Sequence, residues 1–184
     1  MKIASHNTMS YLPVKQWYLK PFYWMARCQS KSIFQQYDEG CRFFDIRLTL
    51  DKNDKLVFAH GLIHYKANYF KLLYNFHNYI TEPVHMRVVF ELTKQDFAKE
   101  ERLATEAKIL EMTFDKFKFN TGRRKYDWQP IYLFDGKEYS LDQKVSSMQG
   151  TKIDDLWPWL YAKLHNKQSI KEGTNKDFLM LDFI

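Results

Sequence analysis

The chain is poor in cysteine. Cys28 and Cys41 are its only two, too few for a disulfide scaffold and at no zinc-binding spacing, so both read as reduced, buried thiols. No apolar run approaches the roughly 20 residues of a membrane span, and the opening "MKIASHNT" is no secretory leader. The expectation is a cytoplasmic protein that meets a membrane only peripherally, or after release by lysis. No repeat, low-complexity tract or Pro/Gly/Ser-rich linker divides the sequence, which predicts one domain over residues 1–184. Glycine is missing from "SHNTMS", where a doubly wound sheet would carry its phosphate loop after the first strand.

Aromatic residues, by contrast, are abundant at 17%, more than a core of this size needs. The net charge of +6 favours polyanions in general and does not choose between nucleic acid and an anionic membrane. In "KQWYLKPFYWM", Trp17, Phe22 and Trp24 are interleaved with Lys15 and Lys20. Such a segment suits a lipid interface, or it covers the open end of a short barrel.

Strand and helix signals alternate. "KIASHN", "CRFFDIRLTL", "LVFAHG", "MRVVFELTK", "FKFNTG", "PIYLF" and "FLMLDFI" read as strands. "SKSIFQQYDEG", stopped by Gly40, "KANYFKLLYNFHNYI", "DFAKEERLATEAKILEMTF" and "IDDLWPWLYAKLHN" read as helices. This order predicts an α/β fold with a largely parallel sheet. His6, Arg47, His60, Lys94 and Asp182 all fall near strand C-termini, where a (β/α) barrel gathers its active site. Such barrels usually need about 250 residues, so a small, distorted or incomplete TIM barrel is expected.

Within "FDIR", Asp45 and Arg47 share one face of a strand while Phe44, Ile46 and Leu48 take the other. A barrel mouth is a place that needs fixed charge facing inward. Two histidines, an arginine and two aspartates supply a base, an acid and a planar cation for phosphate oxygens, the parts of phosphoryl chemistry. A buried Asp45–Arg47 ion pair without catalysis is the plainer alternative.

Beyond these physical signals, "SHNT" at 5–8, "CQSKSIFQQYDEGCRFFDIRL" at 28–48, "VFAHG" at 57–61, "VVFELTK" at 88–94 and "LMLDF" at 179–183 resemble the bacterial, metal-independent phosphatidylinositol-specific phospholipase C X-domain family. The resemblance is continuous over the first half of the chain and resumes at the last strand. It implies a distorted, open TIM barrel that cleaves a phosphodiester with the inositol 2-hydroxyl, releasing diacylglycerol and a cyclic inositol phosphate. On that resemblance His6 is the general base, Asp182 its orienting partner, His60 the general acid and Arg47 the phosphoryl stabiliser, with Asp45 orienting Arg47. An arginine stands where calcium-dependent relatives place a metal-binding carboxylate, so no metal and no cofactor are expected. One position departs: Asn7 follows the first histidine, where the bacterial enzymes carry an aspartate that supports the acid, and His60 should be less well polarised for it.

Asn7, Lys94, Arg123, Arg124 and Asp142 are the candidate headgroup contacts. The expected partners are a phospholipid or other phosphodiester substrate and a transient membrane surface, without nucleic acid, for a monomeric enzyme. A glycerophosphodiester-type phosphodiesterase and an inactive headgroup- or polyanion-binding module are the alternatives.

Overall fold

The computed structural model describes residues 2–91, 97–122, 131–146 and 157–184. Its frame is six strands: β1 (Lys2–Ser5), β2 (Cys41–Leu50), β5 (Val84–Phe90), β6 (Phe117–Gly122), β8 (Lys137–Lys144) and β9 (Phe178–Leu181). They lie in the order β6–β5–β2–β1–β9–β8, and every neighbouring pair is parallel. β7 (Ile131–Phe134) adds an antiparallel strand at the β8 edge. Among the described residues no ladder joins β6 to β7, so the sheet is an incomplete barrel. A hairpin arm, β3 (Leu56–His60) and β4 (Ile63–His64), continues from the upper part of β2, with β3 antiparallel to it.

Alternation along the strands separates two surfaces. Phe44, Ile46 and Leu48 of β2 and Met86, Val88 and Phe90 of β5 point outward into the main core. They meet Ile33 and Tyr37 of α2 (Ile33–Asp38), Leu73 and Phe76 of α3 (Tyr69–Tyr79), and Leu103, Ala107 and Leu110 of α4 (Phe97–Thr113). The inward face is apolar at one end only. Ala4, Phe43, Phe134, Leu141, Phe178 and Met180 form a floor, and Asp45, Arg47, Arg87, Glu91 and Asp182 lie buried above it. An unpaired charge held away from water is expensive, so this upper layer is stable only if its members satisfy one another.

Local signals set the helices. A reciprocal capping box between Ser32 and Gln35 starts α2, and Gly40 stops it at a φ of +93° with its N–H on the Tyr37 carbonyl. Asn68 caps α3. The aromatic segment forms a 3₁₀ helix over Trp17–Phe22 and the short α1 (Tyr23–Ala26). The last helix, α5 (Pro158–Glu172), opens on Pro158 where the sequence reading ran the helix through it; proline fits the first turn and disrupts an interior. β8 went unread because "KEYSLDQK" has little apolar alternation to announce a strand. No described helix is long and apolar enough to cross a membrane.

Candidate active site

His6 follows the end of β1, and Asp182 follows the end of the adjacent strand β9. Register therefore delivers both to one point. His6 Nδ1 lies 2.6 Å from Asp182 Oδ1, and the other carboxylate oxygen accepts the Ser146 N–H at 2.9 Å. His6 Nε2 is 2.9 Å from an amino group of Arg47. A guanidinium only donates, so Nε2 is the acceptor and the ring proton sits on Nδ1, shared with Asp182. The lone pair of a carboxylate-backed imidazole thus faces the fixed cation.

Arg47 is held on three sides. Its Nε meets Asp45 Oδ2 at 3.0 Å and its remaining amino group meets Glu91 Oε1 at 3.1 Å. Burial works against its charge, but Asp45 and Glu91 outweigh burial and lift the pKa above the usual arginine value. Asp45 accepts from Arg47, from Arg87 at 2.7 Å and from the Asn7 main-chain N–H at 3.1 Å. Burial alone would raise the pKa of Asp45, yet the two arginines, His6 and the Asn7 N–H hold it well below the ordinary carboxylate range. Glu91 also accepts the N–H of Gly61, which ties the barrel to the turn beside His60. The inward charges are thus a connected network.

His60 has a different environment. It ends a strand of the hairpin arm, and its ring centre lies 6.5 Å from that of His6 at an interplanar angle of 81°. Its Nδ1 is 3.0 Å from the Ala26 carbonyl, so the neutral ring carries its proton there and Nε2 is bare. Burial, and then the positive charge of Arg47, push its pKa down to about 3. Among the described residues no carboxylate bonds to His60.

Asn7 is fully buried at a φ of +42°. Its amide NH₂ approaches Cys28 Sγ at 4.0 Å, and among the described residues its Oδ1 has no hydrogen-bond partner. The residue serves the site through its main-chain N–H on Asp45 and offers no side chain to a headgroup, which corrects the sequence assignment. Asp142 is corrected too. It pairs in register with Leu179, on the face opposite Leu141 and Phe178 of the floor, and its nearest cation is Lys144 at 3.9 Å. Strand alternation turns it away from the mouth. Lys94, Arg123 and Arg124 lie outside the described residues.

Sequence reading missed Arg87 of β5 and Glu91 just past its end, although both face inward; Arg87 stands in register with Asp45. The alternation of "RVVFE" was the available signal. It also missed the shell beneath β1. Gln29 donates to the carbonyls of His6 and Leu181 at 3.1 Å each, and Ser10 Oγ accepts the N–H groups of Cys28 and Gln29 at 2.9 Å. His6, Cys28 and Asp182 bring three donor atoms within 4.8 Å of one another. A metal there would need the His6–Asp182 hydrogen bond to open and Cys28 as thiolate. Burial, then the Asp182 charge, raise the Cys28 pKa well above its usual value, so the set suits a hydrogen-bonded dyad better than a metal.

Known structures share this arrangement of chain. The phosphatidylinositol-specific phospholipase C of Listeria monocytogenes superposes with a TM-score of 0.69 at 15% identity, over 99% of this chain and 87% of that one. The fold is that of the bacterial phosphatidylinositol-specific phospholipases C. A variant of the Staphylococcus aureus phosphatidylinositol-specific phospholipase C agrees, with a TM-score of 0.64 at 14% identity over 99% of this chain and 84% of that one. No protein-family model and no curated protein matches the chain. The distorted, incomplete TIM barrel expected from the sequence is the fold found.

Proposed function

We propose that this chain is a phosphatidylinositol phospholipase C-type enzyme that cleaves a phosphodiester without a metal ion. The observation that carries the reading is the His6 Nε2 lone pair, backed by Asp182 and set 2.9 Å from a buried arginine. In this reading an inositol 2-hydroxyl takes the place of Arg47 at Nε2 and loses its proton to His6 as its oxygen attacks phosphorus. Asp182 stabilises the resulting imidazolium. Arg47 turns its freed amino group onto the phosphoryl oxygens, where developing charge needs a preorganised donor. The bond to the diacylglycerol oxygen breaks, that oxygen takes the Nε2 proton of His60 in its imidazolium form, and a cyclic inositol phosphate is left.

The rim favours a lipid-borne substrate. Trp17, Phe22 and Trp24 are 78%, 54% and 49% exposed, and Leu62, next to the His60–Gly61 turn, is 71% exposed. Gln16 donates to the Leu62 carbonyl at 2.8 Å, tying the aromatic segment to the hairpin arm. In this reading the rim contacts the membrane surface and the mouth meets headgroups there.

Phosphorus NMR of phosphatidylinositol in mixed micelles tests the proposal. A cyclic inositol phosphate resonance that persists in EDTA and is lost in His6→Ala is expected; no new resonance from folded protein would refute it. A headgroup-binding pocket without catalysis is the second reading, favoured by the depressed His60 pKa, and it predicts binding with no turnover at any pH.

A further inference from the structure

A second cationic cavity lies beside the mouth. It measures about 530 Å³, and Arg27, Ser30, Trp159, Lys163, Asn166, Lys167 and Phe183 are among the residues that line it. That volume is in the range of small-molecule sites. Three cations line it and no carboxylate does. Among the described residues none of the three forms an ion pair, whereas Arg47, Arg87, Lys15 and Lys31 all do.

Two of the cations are held in place. Arg27 Nε donates to the Gln29 carbonyl at 3.2 Å, and its guanidinium lies 5.6 Å from the centre of the Tyr23 ring. Lys163 Nζ sits 5.0 Å from the centre of the Trp159 ring. Lys163 and Lys167 are one turn apart on α5, and like charges at that spacing repel by a few tenths of a kcal/mol. An anion between them relieves that repulsion and supplies Arg27 with the oxygen pair its planar fork fits.

The place of the cavity narrows the ligand. Asn166 Nδ2 donates to the Asp182 carbonyl at 2.6 Å, so one wall adjoins the strand end that carries the dyad, while none of His6, Arg47, His60 and Asp182 lines the cavity. Trp157, immediately before α5, packs on the exposed Trp24 with ring centres 5.7 Å apart. The cavity therefore borders the exposed aromatic segment. Its chemistry, an arginine fork, two lysines, a serine hydroxyl and an indole, is that of a phosphate site.

We propose that this cavity is an accessory phosphate-binding site, separate from the catalytic centre, that takes a phosphate-bearing group either on an anionic phospholipid or free in solution. The test reads binding and not turnover, so it stands apart from the proposed reaction. The intact protein, Lys163→Glu/Lys167→Glu, and a control of equal charge change on other exposed helix positions, Lys71→Glu/Lys108→Glu, are floated with phosphatidylcholine vesicles with and without phosphatidylglycerol. In parallel, inorganic phosphate and glycerol phosphate are titrated while the Trp159 indole resonance is followed.

Loss of the phosphatidylglycerol-dependent binding in the cavity variant, by about tenfold beyond the control, supports a lipid-borne ligand. A saturable Trp159 shift with the soluble phosphates that the cavity variant loses supports a free one. Arg27→Gln, which leaves α5 untouched, is expected to weaken the same response. Equal losses in cavity and control variants, with no saturable Trp159 shift, would overturn the proposal.

Discussion

The two histidines at the mouth belong to different parts of the molecule and are kept in different ways. His6 stands on the barrel, where Asp182 holds its ring nitrogen and Arg47 faces the other. His60 stands on the hairpin arm, where a main-chain carbonyl takes its only assigned proton and burial beside Arg47 keeps it uncharged. One imidazole is prepared to accept a proton and to be stabilised once it has done so. The other receives no such help. In the proposed reaction the barrel half supplies the base, and the arm half supplies a neutral ring whose acid form is scarce at pH 7.

The largest effect should come from breaking the barrel half. His6→Ala is expected to lower turnover by about 10³-fold or more, in the range positioned acid–base groups supply, and to lower the urea midpoint as well, because it leaves the buried Asp182 carboxylate without its ring partner.

Asp45→Asn attacks the network beneath it. It leaves Arg47 and Arg87 short of a carboxylate, and removing one partner of a buried pair costs about 3–5 kcal/mol, which urea denaturation measures. The pH dependence follows in sign. Because the folded pKa of Asp45 lies below its unfolded value, its contribution is complete at neutrality. It is lost as the pH falls below the unfolded value of about 3.9 and on through the folded one. The acid unfolding curve of Asp45→Asn should lack that part of the slope.

On the arm, His60→Ala should cost much less than His6→Ala at pH 8, since a ring with a pKa of about 3 is almost wholly neutral there. The protonated fraction rises about tenfold for each pH unit of acidification, so the penalty of His60→Ala should grow as the pH is lowered from 8 to 5. A pH–rate profile of both variants measures this, and a penalty that shrinks on acidification would count against the arm's assigned role. The smallest effect is expected at the rim. Trp17→Ala with Trp24→Ala should weaken vesicle binding several-fold and leave the hydrolysis of a soluble diester unchanged.

Much of the barrel half was legible in the sequence. The spacing of Asp45 and Arg47 put two charges on one strand face, and strand-end positions gathered His6 and Asp182. The second pair of inward charges, Arg87 and Glu91, carried the same alternation on and just past β5 and was overlooked beside the more conspicuous "FDIR". Asp142 was misplaced as a headgroup contact because β8 lacks the apolar pattern that marks a strand, so nothing in its surroundings showed which way its side chain faces. Asn7 shows another limit. Its neighbour in sequence, His6, faces the mouth, and nothing local announces that a left-handed backbone buries the next side chain against Cys28.

The contrast between the two histidines is tested most directly by long-range proton–nitrogen NMR of the imidazole rings through a pH titration. The account predicts that His60 stays neutral with its proton on Nδ1 down to pH 5 and titrates near 3, while His6 in the neutral form carries its proton on Nδ1. A His60 that titrates near its ordinary value of about 6.5, or that carries its proton on Nε2, would contradict it.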